Sequence, residues 1–586
     1  MATFLARWRS ALPTRRFPAG KLVASTAMLS LLPTLASFLG NRYQVSVQDL
    51  FLPVIVDLLT AALVVAVFYR SWRKDALAAG LAAGLLVLVL VSNYDGRLST
   101  ISPIFDAVSP FVGVGWVYSL VFMVLLGALA AAIGRLASRL VRLRGWSSRE
   151  IVRAATIAVS VTFAIQVATV VQEFAVEWPQ FFYKAPALTT TAAATPASPK
   201  PDIYYIVLDR YASQDVLASQ FGFNNDEFIQ FLKDNHYYVN PSAHNNYPYT
   251  TMSIASTMSA DYNTSIVQQF ENSTKQTVIP FNETIRQAPV AQTLQKLGYS
   301  YNLVGNWYET SNESPVADHT YQQTGIFTLL GHTFTLDNFP KIILSQSIFS
   351  RFIQASPSIG QFQALRYTNL GDVDMAHYQL QTLKDLAAAP PGGRFIFAHI
   401  LVPHDPYNFN ADGSISTTTN SDNIGAPVKQ KYLGQVQYIN GQMKTILSNI
   451  QSASRGQAVV VLQSDEGPYP AQLNDEDFDA NDLDGLLQAG DMRQWSDANL
   501  QMKFGNLAAY HIPAADWTRD TDAADSVNIF RLILNSYFGA GMSYLPDCYY
   551  AYPNGRDKPL SFTSITTRLT GAAEDSRCGA NGGLKP

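Results

Sequence analysis

The chain has 586 residues, of which 48% are apolar and 15% are charged, and its formal net charge at pH 7 is −4. This length gives room for more than one domain. A slightly acidic chain lacks the basic footprint that binds a phosphate backbone, so we expect no nucleic-acid partner. The composition changes near residue 173: Leu, Val and Ala dominate before it, whereas the later part is aromatic, rich in Asn and mildly acidic.

Five apolar segments in the first part are each close to the roughly 20 residues that cross a bilayer. They cover residues 22–40, 50–68, 76–91, 111–133 and 154–171. Arginine and lysine concentrate before the first segment and in every second loop, whereas the alternate loops carry little beyond Arg42 and Arg97. The positive-inside rule then places the N-terminus in the cytoplasm and everything after residue 171 outside. The sequence therefore predicts a cell-membrane protein with five spans.

Two features of these segments have more than one interpretation. Gly80 and Gly84 form a GxxxG pattern, which is either a close-packing seam or a chance match in an Ala/Gly-rich helix. Asp57 places a carboxylate inside a predicted span, where charge is costly and usually faces protein or a polar cavity. It either lines a pocket for lipid head groups or makes a helix-packing hydrogen bond.

The part after residue 173 begins with a predicted linker, residues 174–200, which is rich in Pro, Thr and Ala. Short apolar runs that predict buried strands then alternate with helical patterns. The predicted strands cover residues 203–208, 298–305, 394–398, 458–462 and 507–512. The predicted helices cover residues 215–220, 226–235, 289–297, 435–450 and 527–538. This alternation predicts a layered α/β/α domain.

Side chains that can bind a metal stand at the ends of three predicted strands: Asp209, His399 and the adjacent pair Asp465 and Glu466. Thr250 stands where a helix is predicted to begin. Because a doubly wound sheet collects such residues at one edge, we expect them to converge. The predicted ligands all bind through oxygen atoms, and they are Asp209, Thr250, Asp465 and Glu466. Oxygen ligands suit one divalent ion, Mn²⁺ or Mg²⁺, with Ca²⁺ and Zn²⁺ as alternatives.

The chemistry expected there is transfer of a phosphate or sulfate group. A threonine hydroxyl beside a cation becomes a nucleophile, so Thr250 is the predicted attacking group. His404 is placed to protonate a leaving alkoxide, and His399 to hydrogen-bond an anionic oxygen. Each residue also has a structural interpretation, since Thr250 fits a helix cap and the histidines fit a strand end and a turn. Their joint position at strand ends favours the functional interpretation.

The two cysteines, Cys548 and Cys578, both lie near the C-terminus. In an exported domain we expect them to pair, closing a loop of about 30 residues worth roughly 3 kcal/mol. The alternative is two free thiols.

Several segments taken together resemble the sulfatase-like branch of the alkaline phosphatase superfamily. They are PDIYYIVLDRYA, NYPYTTMSIAS, FIFAHILVPHDPY, VVLQSDEGP and KFGNLAAYHIPA, in the order that the branch shows. With the preceding spans, the chain looks like membrane-anchored phosphotransferases of the lipoteichoic acid synthase type, a plan that lipid A phosphoethanolamine transferases share. The resemblance covers most of residues 201–545 and implies an alkaline-phosphatase-like fold. It also implies that Thr250 is the nucleophile, that Asp209 and Asp465 are metal ligands, and that His404 binds substrate.

Two positions depart from the family pattern. The family commonly has His where Glu466 stands, which replaces a nitrogen ligand by a carboxylate and adds negative charge where an anionic substrate approaches. The family also commonly has Gly where Arg210 stands, and this side chain either contacts phosphate or points to solvent. The glutamate at position 466 therefore implies either that the metal preference has shifted or that the site has lost catalysis.

Three further patterns limit the reactions and the metal sites that the sequence predicts. Neither cysteine lies in the C/S-x-P-x-R setting of a formylglycine sulfatase, which disfavours sulfate-ester hydrolysis. Ile400 stands four residues before His404, where two-zinc phosphatases have an Asp, so one metal is expected rather than two. The acidic run at residues 474–485 lacks the glycine of a calcium loop and is interpreted as a solvated loop.

The sequence thus predicts a cytoplasmic N-terminus (1–21), a transmembrane domain (22–173), an extracytoplasmic linker (174–200), a sulfatase-like domain (201–545) and a C-terminal tail (546–586). The predicted function is a membrane-anchored, metal-dependent hydrolase or transferase. It acts outside the cytoplasm on phosphoesters, with a phospholipid head group or envelope glycan as substrate or acceptor. The alternative is a membrane-tethered binding protein whose site has lost activity.

Overall fold

The computed structural model describes residues 19–41, 50–72, 75–91, 115–189, 200–270, 278–306, 308–322, 327–329, 332–334, 369–416, 426–468, 492–521, 524–552, 560, 562–579 and 582–585. The chain divides into two compact units, one formed by Met1–Ala175 with Gly325–Tyr367 and the other by Val176–Thr324 with Thr368–Pro586. Part of the predicted linker (190–199) and the acidic run at 474–485 lie outside the described residues.

The first unit contains five apolar helices, and each of the five predicted segments falls largely within one of them. They are α1 (Ala19–Asn41), α2 (Phe51–Trp72), α3 (Ala76–Val91), α4 (Gly115–Leu143) and α5 (Ser148–Glu177). Three contain stretches long and apolar enough to cross a membrane, namely Gly20–Leu39, Val124–Leu143 and Ser148–Gln172. The apolar stretches of α2 and α3 are shorter, Pro53–Tyr69 and Ala76–Leu90, so five spans remain a prediction. A short antiparallel pair, β5 (Phe327–Leu329) and β6 (His332–Phe334), belongs to the same unit.

Contacts between helices explain both unusual features of these segments, the GxxxG pattern and the carboxylate of Asp57. A Cβ on Gly80 or Gly84 of α3 would come within 2.9 and 3.2 Å of the side chains of Leu22 and Leu29 on α1, which identifies the GxxxG pattern as a packing seam. The hydroxyl of Thr34 on α1 donates to the Asp57 carboxylate on α2 at 2.6 Å, and both side chains are buried. The structure therefore favours the helix-packing interpretation of Asp57.

A seven-stranded mixed sheet forms the centre of the second unit. Its strands lie in the order β2 (Tyr238–Val239), β9 (Ala508–His511), β8 (Val459–Gln463), β1 (Ile203–Leu208), β7 (Arg394–Ile400), β3 (Ser300–Val304) and β4 (His319–Tyr321). Strands β8, β1, β7, β3 and β4 pair in parallel, whereas β9 is antiparallel to β8 and β2. All six residues of β1 are buried, as its unbroken apolar run predicts.

Helices cover both faces of this sheet. They are α6 (Gln214–Phe221), α7 (Asp226–Asp234), α8 (Thr250–Ser259), α9 (Thr264–Phe270), α10 (Ile279–Gln287), α11 (Pro289–Lys296), α12 (Glu309–Asn312), α13 (Asn369–Ala388), α14 (Ala426–Ser454), α15 (Asp497–Phe504), α16 (Ile529–Phe538) and α17 (Thr566–Thr570). Tyr205 and Val207 of β1 pack with α8–α11 and α16, whereas Tyr204 and Ile206 pack with α6, α7, α13 and α14. The alternation of side chains along the strand thus gives the predicted α/β/α layers.

The C-terminal residues, predicted as a separate tail from 546, belong to the same compact unit as the sheet. They form the antiparallel pair β10 (Tyr550–Ala551) and β11 (Thr563–Ser564). The Tyr247 hydroxyl donates to the Gly582 carbonyl at 2.5 Å, which holds the end of the chain against the loop before α8. Cys548 and Cys578 form a disulfide and are both buried, so the predicted pairing is confirmed.

We expect loss of this disulfide to lower the free energy of unfolding by about 3 kcal/mol, because the bond closes a long loop in the unfolded chain. The measurement is thermal unfolding of the full chain in detergent, with and without reductant. Reductant should leave a variant carrying both Cys548→Ser and Cys578→Ser unchanged. A wild-type protein that unfolds at the same temperature after verified reduction would contradict this account.

Candidate metal centre and nucleophile

The carboxyl ends of three adjacent strands converge where the sequence predicts a site. Strand β1 lies between β7 and β8 and pairs with both in parallel, with Val207 opposite His399 on one side and Gln463 on the other. Asp209 directly follows β1, and Asp465 lies two residues after β8. His399 was predicted to follow its strand but is its penultimate residue, since β7 continues to Ile400. The parallel register therefore brings Asp209, His399 and Asp465 together.

These three side chains form a group that can hold a metal ion. Their ligand atoms all lie within 4.8 Å of one another. His399 Nε2 is 3.4 Å from Asp209 Oδ2 and 3.9 Å from Asp465 Oδ2. Asp209 Oδ1, His399 Nε2 and Asp465 Oδ2 are buried and accept or donate no hydrogen bond within the described part of the chain. Buried polar atoms without partners are costly, so their convergence fits a bound cation.

The orientation of His399 is fixed from behind by a serine. His399 Nδ1 lies 2.9 Å from Ser311 Oγ, and the Ser311 hydroxyl can donate to Asn306 Oδ1 at 3.2 Å. When its hydrogen goes to Asn306, the serine oxygen accepts from Nδ1–H, which leaves the lone pair of Nε2 directed at the carboxylates. The Asn306 amide also donates to the His399 carbonyl at 2.8 Å. This arrangement prepares a neutral imidazole to bind a metal.

Thr250 is the first residue of α8, a helix of 10 residues, and the residue at the cap position is Tyr249. Thr250 is therefore not the capping residue, which was the structural alternative for it. Its hydroxyl lies within hydrogen-bonding reach of the Asp465 carboxylate and opposes the rise in the pKa of Asp465. The structure thus brings Thr250 to the Asp209–His399–Asp465 group, with its hydroxyl at the N-terminus of a helix.

Glu466 has different partners from those that the sequence predicts. One carboxylate oxygen accepts from Arg210 Nε at 2.9 Å, and the other lies 2.8 Å from Lys503 Nζ in an ion pair. Lys503 is completely buried, and Glu466 is only 2% exposed. Both oxygens of Glu466 are therefore used by cationic side chains, which gives the geometry no support for Glu466 as a metal ligand.

Arg210 occupies a backbone conformation that favours glycine. Its φ is +60°, in the left-handed region, where an L-residue costs roughly 1–2 kcal/mol. This explains why the family commonly has Gly there. Its guanidinium also donates to Asp405 Oδ1 at 2.7 Å, so the side chain neither points to solvent nor stands alone. Arg210 thus joins Asp405 to Glu466 at the edge of the centre.

The glycine after Glu466 is required by close approach. Gly467 N donates to the Lys503 carbonyl at 2.8 Å. A Cβ on Gly467 would overlap the Met502 carbonyl oxygen and come within 3.0 Å of that of Lys503. The contact places the end of α15, and with it Lys503, directly against the turn that carries Asp465 and Glu466.

His404 lies on the loop after β7, close enough to Asp209 to help lower the pKa of that carboxyl. Its Nδ1 lies 3.3 Å from Asp405 Oδ1. Gln435 on α14 holds this loop, since its amide donates to the carbonyls of Pro403 and His404 at 3.1 and 3.0 Å. His404 is half-exposed. It therefore stands between the buried group and solvent.

Charge divides unequally between the two buried carboxylates. Burial opposes ionisation of both, but His404, His399 and Arg210 lower the pKa of Asp209 to about 2. Burial and the neighbouring Asp209 raise the pKa of Asp465 to about 7. Arg210 and Lys503 form ion pairs with Asp405 and Glu466. The two carboxylates that belong to the buried group, Asp209 and Asp465, suit a divalent ion.

The sequence therefore identified Asp209, Thr250, His399, Asp465 and Glu466 as neighbours. It missed Lys503, which pairs with Glu466, and Ser311, which contacts His399. It also missed the role of Asp405, which pairs with Arg210. Lys503 had one signal, since it is a lysine between the apolar residues Met502 and Phe504 at the end of α15. Ser311 has no local signal, because its contact with His399 joins distant parts of the chain.

Residues 201–504, just over half of the chain, match the protein-family model described as sulfatase. No curated protein sequence matches the chain. Similar solved structures include the C-terminal periplasmic domain of EcEptC from Escherichia coli (TM-score 0.38, 10% identity, 66% of this chain and 97% of that one). Another is the integral membrane lipooligosaccharide phosphoethanolamine transferase A (EptA) from Neisseria meningitidis (TM-score 0.36, 10% identity, 89% and 97%). A third is the C-terminal periplasmic domain of phosphoethanolamine transferase EptC from Campylobacter jejuni (TM-score 0.33, 9% identity, 60% and 92%).

We expect metal to stabilise the protein more as the pH rises through about 7. The raised pKa of Asp465 means that folding favours its protonated form, so this group's contribution to stability is present in acid and is lost as the pH rises through about 7. A metal requires the ionised carboxylate and a neutral His399, so protons compete with it. Unfolding temperatures with and without Mn²⁺ at about pH 5.5 and about pH 8 measure the effect.

The Asp465→Asn variant should lose the gain from Mn²⁺ at both pH values. A gain in the wild-type protein that is equal at both pH values, or larger in acid, would contradict the assignment of Asp465 as a metal ligand.

Replacing Ser311 by Ala should weaken metal binding by about 10-fold, because the variant no longer fixes the orientation and tautomer of His399. Isothermal titration of the purified protein with Mn²⁺ gives the affinity. Ser314→Ala is a matched control, since Ser314 lies in the same segment but donates to the Arg286 carbonyl. Equal affinities in the two variants would show that Ser311 does not support the centre.

Proposed function

The chain belongs to the sulfatase family, and from this membership we propose that it is a membrane-anchored, metal-dependent enzyme that transfers or hydrolyses phosphate esters through Thr250. The observation that carries the proposal is that the Thr250 hydroxyl lies within hydrogen-bonding reach of Asp465, a member of the buried group that also contains Asp209 and His399. A nucleophile, a place for a cation and a helix N-terminus therefore coincide.

Asp209, Asp465 and His399 would hold the metal, with the Thr250 hydroxyl beside it. Mixed carboxylate and imidazole ligands suit Mn²⁺ and also admit Zn²⁺, whereas Mg²⁺ and Ca²⁺ prefer oxygen alone. When bound, the ion favours the ionised form of the threonine hydroxyl and neutralises charge on the phosphate. Glu466 has no part in this ligand set, because Arg210 and Lys503 bind both of its oxygens.

The first chemical step forms a bond between Thr250 Oγ and phosphorus and breaks the bond from phosphorus to the leaving oxygen. The hydroxyl proton departs along the hydrogen bond to Asp465, and His404 supplies a proton to the leaving oxygen. Backbone N–H groups at the start of α8 favour the negative charge of the phosphate. In the second step water or an acceptor hydroxyl gives a proton to His404 and attacks the same phosphorus, which breaks the bond from phosphorus to Thr250 Oγ. Thr250 then recovers its proton from Asp465.

Phosphate esters are favoured over sulfate esters as the substrate class. Sulfate-ester hydrolysis in this family uses a formylglycine made from Cys or Ser, and both cysteines of this chain are joined in a disulfide. Lipid head groups or envelope glycans fit a catalytic domain attached to apolar helices. The Arg and Lys pattern of the loops supports five spans, with a cytoplasmic N-terminus and the sulfatase domain outside.

A second candidate function follows from Glu466. Where the family commonly has His, this chain has a carboxylate that is bound to Arg210 and Lys503. This is also what a membrane-tethered binding protein with a decayed catalytic site would show. Such a protein would take up no metal in the titrations described above, whereas the enzyme takes up one ion that Asp465→Asn abolishes.

Replacing Thr250 by Ala should lower turnover of a phosphodiester such as bis(p-nitrophenyl) phosphate by about 10³-fold or more, because the nucleophile is lost. Metal binding and the unfolding temperature should change little, since Asp209, His399 and Asp465 remain. Thr250→Ser keeps a hydroxyl and should retain part of the activity.

Thr251→Ala is the matched control, as Thr251 is the next residue of α8 and is buried. Mass spectrometry of protein quenched during turnover should detect phosphorylated Thr250. Activity of Thr250→Ala equal to that of the wild-type protein would refute the mechanism.

A further inference from the structure

Large apolar side chains are exposed at few places on the second unit. Among the described residues of this unit they are Trp178, Phe182 and Ile415, with exposed fractions of 50%, 62% and 41%. Trp178 and Phe182 lie in one short segment, and their rings meet edge to face with centroids 4.9 Å apart. We call these two side chains the aromatic patch. Two adjacent exposed rings form a continuous apolar surface, which a single scattered residue does not.

The aromatic patch follows directly on α5. The apolar stretch of α5 that is long enough to cross a membrane ends at Gln172, and the helix itself ends at Glu177. Trp178 stands six residues after Gln172, which at about 1.5 Å per helical residue is at most about 9 Å along the helix axis. The head-group layer on each side of a bilayer is roughly 5–7 Å thick. The patch therefore begins close to the level at which α5 leaves the lipid.

The segment that carries the patch is packed on the second unit. Residues Gln180–Phe182 form a single 3₁₀ turn, after which Tyr183 N donates to the Gln180 carbonyl at 3.0 Å. Tyr183 is buried, and its hydroxyl oxygen lies 2.9 Å from Ser265 Oγ on α9. Its ring meets that of Phe270, on the same helix, edge to face with centroids 5.9 Å apart.

The glutamine at the end of α10 holds the same segment from the other side. The side-chain amide of Gln287 donates to the Tyr183 carbonyl at 2.7 Å, and its Oε1 accepts from Ala185 N at 3.0 Å. Residues 180–185 fall within the predicted linker, yet they are bonded to two helices of the unit. A contact made by the patch is therefore transmitted to the whole unit.

We propose that Trp178 and Phe182 insert into the head-group layer of the bilayer that α5 crosses, and so hold the second unit against the membrane surface. Aromatic side chains are enriched at this layer. The indole of Trp178 suits it because an apolar ring there carries a polar N–H. Only five residues separate the patch from the apolar stretch of α5, so lipid is the nearest apolar phase.

The size of the patch favours lipid over a second protein. The exposed parts of the two side chains amount to roughly 250 Å², whereas a stable protein–protein interface takes roughly 800 Å² from each partner. Two rings are enough to enter a head-group layer, because the attached span already keeps them beside it.

This membrane contact is separate from the proposed chemistry. It does not require Thr250 to be a nucleophile or the Asp209–His399–Asp465 group to hold a metal. If the unit is an enzyme, the contact restricts how far its site moves from the bilayer, which favours substrates that lie at the membrane surface.

The test uses the full chain reconstituted into vesicles of phosphatidylethanolamine and phosphatidylglycerol. Both native cysteines are joined in the disulfide, so Phe182→Cys supplies the one free thiol for a nitroxide label. Power-saturation electron paramagnetic resonance compares the access of oxygen, which concentrates in lipid, with that of a water-soluble nickel complex. The oxygen-to-nickel ratio at position 182 should exceed by several-fold the ratio for Arg519→Cys, a matched control at a side chain that is 78% exposed.

Adding Trp178→Glu to the labelled chain should lower the ratio at position 182, since a charge opposes insertion. An unchanged ratio would assign the depth of the label to α5 alone and would overturn the proposal. Labelled Trp178→Cys repeats the measurement at the other ring and should give a similarly high ratio. Thr250→Ala should leave the ratio unchanged, so failure of the proposed mechanism is distinguishable from failure of this inference.

Two further results would overturn the proposal. A ratio at position 182 equal to that of the control would show that the patch faces water. A label that neither oxygen nor nickel reaches would show that protein covers the patch. Dipolar broadening between labels would then identify that protein as a second copy of the chain, and its absence would identify another segment of the same chain.

Discussion

The candidate metal centre depends on how the chain offsets the cost of carboxylates that it holds out of water. Asp209 and Asp465 are buried beside His399, where burial opposes ionisation of both carboxylates and a cation would offset that cost. Parallel strands impose this proximity, since β1, β7 and β8 all deliver their carboxyl ends to one edge of the sheet. The surrounding residues stabilise these buried groups. Ser311 orients the imidazole, and Arg210 and Lys503 neutralise Glu466. Gly467 allows the backbone that carries Lys503 to approach closely.

Short-range patterns sufficed to predict the sheet and the identity of its polar ends. The run at 203–208 is a strand with those limits, and the acidic turn after β8 lies beside Asp209, because parallel strands of similar length align their ends. The helix at 426–454 was predicted to begin nine residues later, since its first turns carry polar residues that hide the apolar period. Strand β7 was predicted to end before His399 but continues to Ile400. The histidine does not end the strand, because the break in the chain is marked by the proline after Val402.

The side chains that contact each site residue could not be predicted from the sequence. A glutamate after an aspartate looks like a metal ligand when its surroundings are unknown, and only the fold shows that Lys503 and Arg210 reach it. The role of Ser311 arises from a contact with His399 across 88 residues of chain, which no periodicity reports. Contacts of this kind depend on how helices lie on the sheet, and side-chain chemistry alone does not fix that arrangement.

The left-handed backbone of Arg210 makes this residue and Glu466 depend on each other. Glycine at position 210 would relieve the strain of a φ of +60°, but it would remove one of the two cationic partners of a buried carboxylate. Asp405 would lose its contact with the guanidinium in the same change, and Lys503 would face Glu466 without the arginine. A substitution that relaxes the backbone here therefore breaks two ion pairs, so the two positions are best exchanged together.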